Sequence, residues 1–239
     1  MRNIKDLIDE YKIHATDGII GEVEDFYFED LSWTVRYLIV DIGTWLSDRK
    51  VLISPVALEK PDWDKKILHV SLTKDQIERS PEVKTSKPIS REYEAELHRY
   101  YEWPLYWDYG PIKEEANKLE KQKTTNLRSV KEIIGYRVKA TEGEIGPLLD
   151  LVFDYENWII RYMIISTRYI IEHARDLIKG KKVLISPDWT EISWAESEIY
   201  VDHPIDIIKD GPEYDPDVTF DREFEEIIYD YYKRPKYWE

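Results

Sequence analysis

YKIHATDGIIGEVEDFYFEDLSWTVRYLIVD, residues 11–41, recurs without a gap as YRVKATEGEIGPLLDLVFDYENWIIRYMIIS, residues 136–166, at a constant offset of 125. Identical pairs include Tyr11/Tyr136, Gly18/Gly143, Gly21/Gly146, Asp25/Asp150, Phe28/Phe153, Trp33/Trp158, Arg36/Arg161 and Tyr37/Tyr162. KVLISP at 50–55 then returns letter for letter at 182–187, an offset of 132. From Trp63 onward the offset is 131, pairing Trp63/Trp194, Pro81/Pro212, Arg91/Arg222, Pro104/Pro235, Tyr106/Tyr237 and Trp107/Trp238. Glycine, proline and tryptophan held in register over about a hundred residues mean a tandem duplication. Residues 1–107 form copy 1, residues 108–126 a polar, charge-neutral linker, and residues 127–239 copy 2.

The change of offset places a seven-residue insertion in copy 2, within residues 167–181. Its segment RYIIEHARDLIKG has apolar residues at helical spacing and ends in Gly180, which predicts a short helix with a glycine stop. The middle of the linker, residues 113–121, is also expected to be helical.

Inside each copy the pattern is mainly short strands. The dipeptide Asp17-Gly18, with Gly21 close behind, marks a tight turn, and Glu142-Gly143 repeats it. Residues 23–29, 34–42 and 50–54 are β-branched and aromatic runs. Residues 67–72 alternate, placing Leu68, Val70 and Leu72 on one face. Thr73 is set to cap a helical turn, and Ser90 and Asp221 each precede a helix with acids in its first turn. Closing such strands into a small barrel would remove exposed sheet edges, so two mainly β, barrel-like domains are expected, each with a short C-terminal helix and an aromatic tail.

Composition narrows the function. The 239 residues carry no cysteine, which excludes disulfides, thiol nucleophiles and thiolate metal sites and suits a reducing cytoplasm. No apolar run has signal-peptide or membrane-spanning length, so neither export by that route nor a transmembrane segment is expected. The net charge of −15 is spread over both copies, −6 over residues 1–107 and −9 over residues 127–239, leaving no basic footprint for nucleic acid.

The reactive-residue search yields no catalytic, cofactor-binding or metal-ligating set. The five histidines His14, His69, His98, His173 and His203 have no i, i+4 pair, so a histidine site would need convergence from distant positions. No phosphate loop, dinucleotide fingerprint or nucleophile elbow is present, and Gly18 to Gly21 is accounted for by a hairpin. Asp25, Asp150, Arg36 and Arg161 read as structural ion pairs or turn caps. Glu213, Asp215 and Asp217 alternate but lack the glycine and closing glutamate of a calcium loop.

At this point the order DGIIGEVEDFYFE, WTVRYLIVD, KVLISP and a weaker L-x-V-x-L strand resembles the PRC-barrel domain. Copy 2 repeats it as EGEIGPLLDLVFD, WIIRYMII and KVLISP, and residues 127–136 resemble its usual lead-in. This module is shared by the cytoplasmic part of the photosynthetic reaction-centre H subunit, by a ribosome-maturation factor and by stand-alone proteins. The resemblance to the stand-alone members implies a non-catalytic protein-interaction or adaptor module, engaging a protein partner or a second copy of itself, without cofactors. The likeness to the H subunit offers an alternative, an accessory protein docked on a reaction-centre or membrane electron-transfer complex. A carboxylate-based enzyme working in a groove between the barrels is the remote third reading. The tails supply the candidate interaction residues Trp103, Tyr106, Trp107, Tyr237 and Trp238, because Trp and Tyr dominate hot spots. Each tail would otherwise fold back over its own barrel.

Overall fold

A computed structural model describes residues 1–43, 49–83, 88–108, 126–167, 180–216, 218 and 220–239. The helices expected in the insertion and in the linker, and Asp217 of the acidic loop, lie outside these residues. The protein is mainly β and divides into two compact units, residues 7–130 and residues 1–6 with 131–239.

In the first unit β2 (Lys12–Ala15) and β3 (Gly18–Glu29) form a hairpin whose register pairs Ala15 with Gly18. Gly18 lies at φ 130, a backbone that side chains rarely adopt. Asp17 in this turn accepts the Lys74 amide at 2.9 Å. It thus anchors the start of α1 (Lys74–Glu78), which Thr73 and Gln76 close with a capping box. A Cβ on Gly21 would sit 2.2 Å from the Asp41 carbonyl oxygen, so glycine alone lets β4 cross at this point. The strands β4 (Thr34–Asp41) and β5 (Lys50–Ile53) extend the sheet antiparallel, and β6 (Ile67–His69) adds to β2 in parallel. One face of the sheet carries Tyr27, Tyr37, Ile39 and Leu52, all buried. The helix α2 (Arg91–Tyr101) lies over it, Ser90 accepting the Tyr93 amide as N-cap.

Copy 2 follows the same plan with β8 (Arg137–Ala140), β9 (Gly143–Asp154), β10 (Ile159–Ser166), β11 (Lys182–Ile185), β12 (Thr190–Ser193) and β13 (Glu198–Val201). After the four-residue helix α3 (Val130–Ile133), α4 (Ile205–Asp210) and α5 (Arg222–Tyr232) complete it. Glu142, in the place of Asp17, accepts the Ile205 amide at 3.0 Å and so anchors α4 in the same way. The repeat extends to backbone strain. Left-handed residues recur as Trp33/Trp158, Lys66/Ser197 and Glu102/Lys233.

The expectation of closed barrels is corrected. Among the described residues no ladder joins β5 to β6 or β11 to β12; in the first unit the return is a single bridge, Leu58 to Val70. The outer strands are three or four residues long, too short to complete a ring of hydrogen bonds. Helix α2 with Tyr93, Tyr101, Trp103 and Tyr106 covers the apolar face that closure would have hidden.

A second departure concerns the first strands. β1 (Arg2–Asn3) pairs antiparallel with β9, in the unit of copy 2, with Arg2 opposite Phe153 and Asn3 opposite Val152. β7 (Leu127–Ser129) pairs with β3, in the unit of copy 1, with Arg128 opposite Phe28 and Ser129 opposite Tyr27. Each copy therefore receives the lead-in strand of the other at the same register position. Among the described residues no helix is long and apolar enough to cross a membrane.

Candidate functional site

Each aromatic tail returns to the helix that precedes it. Glu102 and Lys233 end α2 and α5 at φ 57 and 52, and Pro104 and Pro235 then forbid further helix. The chain reverses, and Tyr106 and Tyr237 reach the first turn of their own helix. There Glu94, wholly buried, accepts the Tyr106 hydroxyl at 2.7 Å and the Tyr37 hydroxyl at 2.9 Å on one oxygen, Oε1. Arg91, one turn earlier, sits 2.9 Å from Oε2. Copy 2 repeats the arrangement with Glu225, which accepts Tyr162 at 2.8 Å and Tyr237 at 3.0 Å while Arg222 lies 2.7 Å away. Strand, helix and tail are thus tied at one buried carboxylate in each copy. Charge-assisted bonds of this kind are the strong class.

The arginines also hold the tails from outside. Arg36 lies 4.0 Å over the Tyr106 ring and Arg91 4.4 Å over Trp107. Arg161 and Arg222 take the same places over Tyr237 and Trp238, at 4.1 and 4.2 Å. Such cation–π stacking stabilises each tail against its own copy. Trp103 stacks on Tyr101 at 4.2 Å within the core of the first unit. All five candidate interaction residues are half-buried and packed on their own copy. Glu94 and Glu225 escaped the sequence reading, which took them as first-turn acids. Their signal was the shared offset of 131 with Arg91/Arg222 and Tyr106/Tyr237.

The copies differ at one position of this network. His98 occupies copy 1, with Nε2 2.7 Å from the Tyr37 hydroxyl and Nδ1 2.8 Å from the Pro104 carbonyl; Tyr229 stands in its place in copy 2. A carbonyl only accepts, so Nδ1 carries a hydrogen. The single Tyr37 proton cannot go to both Nε2 and Glu94. Both contacts are satisfied only if the Glu94–Tyr37–His98 chain holds one further proton, on Glu94 or on Nε2. Burial lowers the His98 pKa and raises that of Glu94. Burial together with the Glu94 charge also holds the Tyr37 and Tyr106 hydroxyls well above the ordinary phenol range.

Asp25 and Asp150 are structural, with backbone amides among their partners. Asp25 accepts the Phe26 amide at 2.8 Å and the Ser129 hydroxyl from β7. Asp150 accepts the Leu151 amide at 2.7 Å and the Lys5 amide, next to β1, at 3.1 Å. Each repeated aspartate therefore grips the exchanged lead-in segment. Arg36 pairs with Glu29 at 2.5 Å.

Burial raises the Asp150 pKa to about 6, the two amides opposing it. A carboxyl pKa raised on folding means the native state keeps a proton that the unfolded chain releases. Its contribution is complete below about pH 4 and is lost as pH rises to about 6, on the order of 2–3 kcal/mol in all. Asp150→Asn keeps the acceptor oxygen and removes the charge. Urea unfolding between pH 4 and 7 is expected to lose that slope, leaving the variant the more stable protein at pH 7.

Copy 2 also carries a groove of about 790 Å³ with Trp189 in its wall and Lys139, Thr141, Tyr200, Asp202 and Arg234 around it. Lys139 is already paired with Glu198 at 2.6 Å, and Arg234 leans over the Trp189 ring at 5.9 Å. The lining mixes both charge signs with aromatic surface.

Two mainly β units, each with a helix and a clamped aromatic tail and without a closed barrel, define a tandem β protein. Residues 3–77 match the PRC-barrel domain, and the structure of copy 2 is similar to that of copy 1. The match begins at Asn3, within the segment 1–6 that belongs to the unit of copy 2. An uncharacterized protein of Deinococcus radiodurans is 37% identical over 73 residues, which make up 30% of this chain. The aligned stretch spans 26% of that protein's length.

Proposed function

We propose that this protein is a non-catalytic interaction module of the cytoplasm that binds another polypeptide through copy 2. The observation that carries the reading is how the residues shared by both copies are used. Tyr37/Tyr162, Arg91/Arg222, Glu94/Glu225 and Tyr106/Tyr237 are bonded to one another beneath the tails. What a duplication preserved is therefore architecture, and recognition falls to surfaces where the copies diverge. The groove of copy 2 is such a surface, since Lys139, Tyr200 and Arg234 replace His14, His69 and Trp103. Its mixed charges beside Trp189 and Tyr200 suit the backbone and side chains of an extended peptide better than a polyanion. The half-buried tails act as supports under this reading.

The test is cross-linking of the full chain in native lysate, compared with Tyr200→Ala/Asp202→Arg. A protein captured near 1:1, cross-linked at Lys139 and released by the double variant, supports the reading. Capture that the variant leaves unchanged, or binding of small molecules only, overturns it.

A further inference from the structure

We infer that His14 and His69 form a binding site for one divalent transition-metal ion on the outer face of copy 1. The two residues are 55 apart in sequence, and the fold supplies the convergence that their spacing alone could not. β2 and β6 run parallel in the register Lys12–Ile67, Ile13–Leu68, His14–His69. Side chains alternate along each strand. Because Ile13 and Leu68 are wholly buried, His14 and His69 stand side by side on the opposite, solvent-facing side.

The ring geometry fits a shared ion. The imidazole centroids lie 5.2 Å apart with their planes inclined by 54°. A tetrahedral ion with metal–nitrogen bonds of ~2.0 Å lies ~3.2 Å from each ring centre, and an angle of ~109° then separates the centres by about 5.2 Å. Neutral imidazole is the favoured ligand of Zn²⁺, Cu²⁺ and Ni²⁺. Both rings are half-buried against a rigid ladder, so little ordering is needed on binding. Among the described residues no third histidine or carboxylate completes a cluster with them, so water fills the remaining positions. The site belongs to copy 1 alone, because the equivalent residues of copy 2, Lys139 and Tyr200 in the same register, cannot chelate.

That difference also supplies the control. His14→Lys and His69→Tyr introduce the residues that copy 2 carries at these positions, so both variants keep a side chain that the ladder accommodates. Equilibrium dialysis of the full chain against zinc chloride and against copper sulfate is expected to give one ion per chain, copper held more tightly than zinc. Each single substitution removes the chelate and weakens binding about 100-fold or more. In histidine-selective ¹H–¹⁵N spectra the His14 and His69 rings should shift together on zinc addition while His98 stays in place. Zinc affinity unchanged in His14→Lys/His69→Tyr, binding no tighter than millimolar in the unaltered protein, or ring shifts confined to other histidines would each overturn the proposal.

Discussion

Glu94→Ala is expected to destabilise the first unit by about 3–5 kcal/mol, the range for removing one member of a buried charged set. The substitution takes the acceptor from two buried phenols, Tyr37 and Tyr106, and leaves Arg91 without its partner. Arg91 keeps some solvent access and softens the loss; the two tyrosine hydroxyls do not escape so easily. Cutting the tie also frees the tail, so tryptophan fluorescence of Trp103 and Trp107 should change before global unfolding. Glu94→Gln is the informative companion. It preserves shape and one acceptor, and its cost should be smaller, about 1–2 kcal/mol.

The pH dependence follows from the same site. Glu94 has its pKa raised by burial, so its stabilising contribution is fullest when the carboxyl is protonated and declines as pH rises through the raised pKa. Urea midpoints of the unaltered protein should therefore fall with rising pH in a way that Glu94→Gln suppresses. A Glu94→Ala protein as stable as the original would show that the carboxylate costs as much in desolvation as it returns in bonds.

The second large effect belongs to the exchanged strand. Ile4 is wholly buried, and its amide bonds the Leu151 carbonyl at 2.8 Å. Ile4→Asp sets a carboxylate into that apolar site and is expected to cost about 4 kcal/mol. The location of the damage distinguishes this structure from one in which each copy keeps its own strand. Amide hydrogen exchange should accelerate in β9 and β10, whose sheet Ile4 enters, while β3 and β4 stay protected. Acceleration confined to β3 and β4 would show that the lead-in strand stays with its own copy.

Much of this architecture was legible in the residues. The hairpin at Gly18, the capped helices after Ser90 and Asp221, and the inward set Leu68, Val70 and Leu72 all follow from local chemistry. These features depend on a residue's own backbone freedom or on neighbours within one turn, and a single sequence carries such information. Even the acid before each turn glycine could be aligned, although its role as anchor for α1 and α4 required a partner 57 or 63 residues away.

Other features were settled only by the way distant segments meet. Backbone hydrogen bonds are blind to side chains, and β3 and β9 offer nearly the same edge because one is a duplicate of the other. Each lead-in strand could therefore add to either edge, and packing of residues such as Ile4, with the grip of Asp25 and Asp150, made the choice. Closure depended on strand length against helix cover, which let α2 and its tail take the place of a last ladder. The carboxylates of Glu94 and Glu225 resemble solvated first-turn acids until Tyr106 and Tyr237 fold over them. The amino-acid order by itself determined two copies of one mainly β module, each ending in a capped helix and an aromatic tail. Tertiary structure decided which strands they share, which acids are buried and which histidines meet, because those outcomes turn on desolvation and contact between residues far apart in the chain.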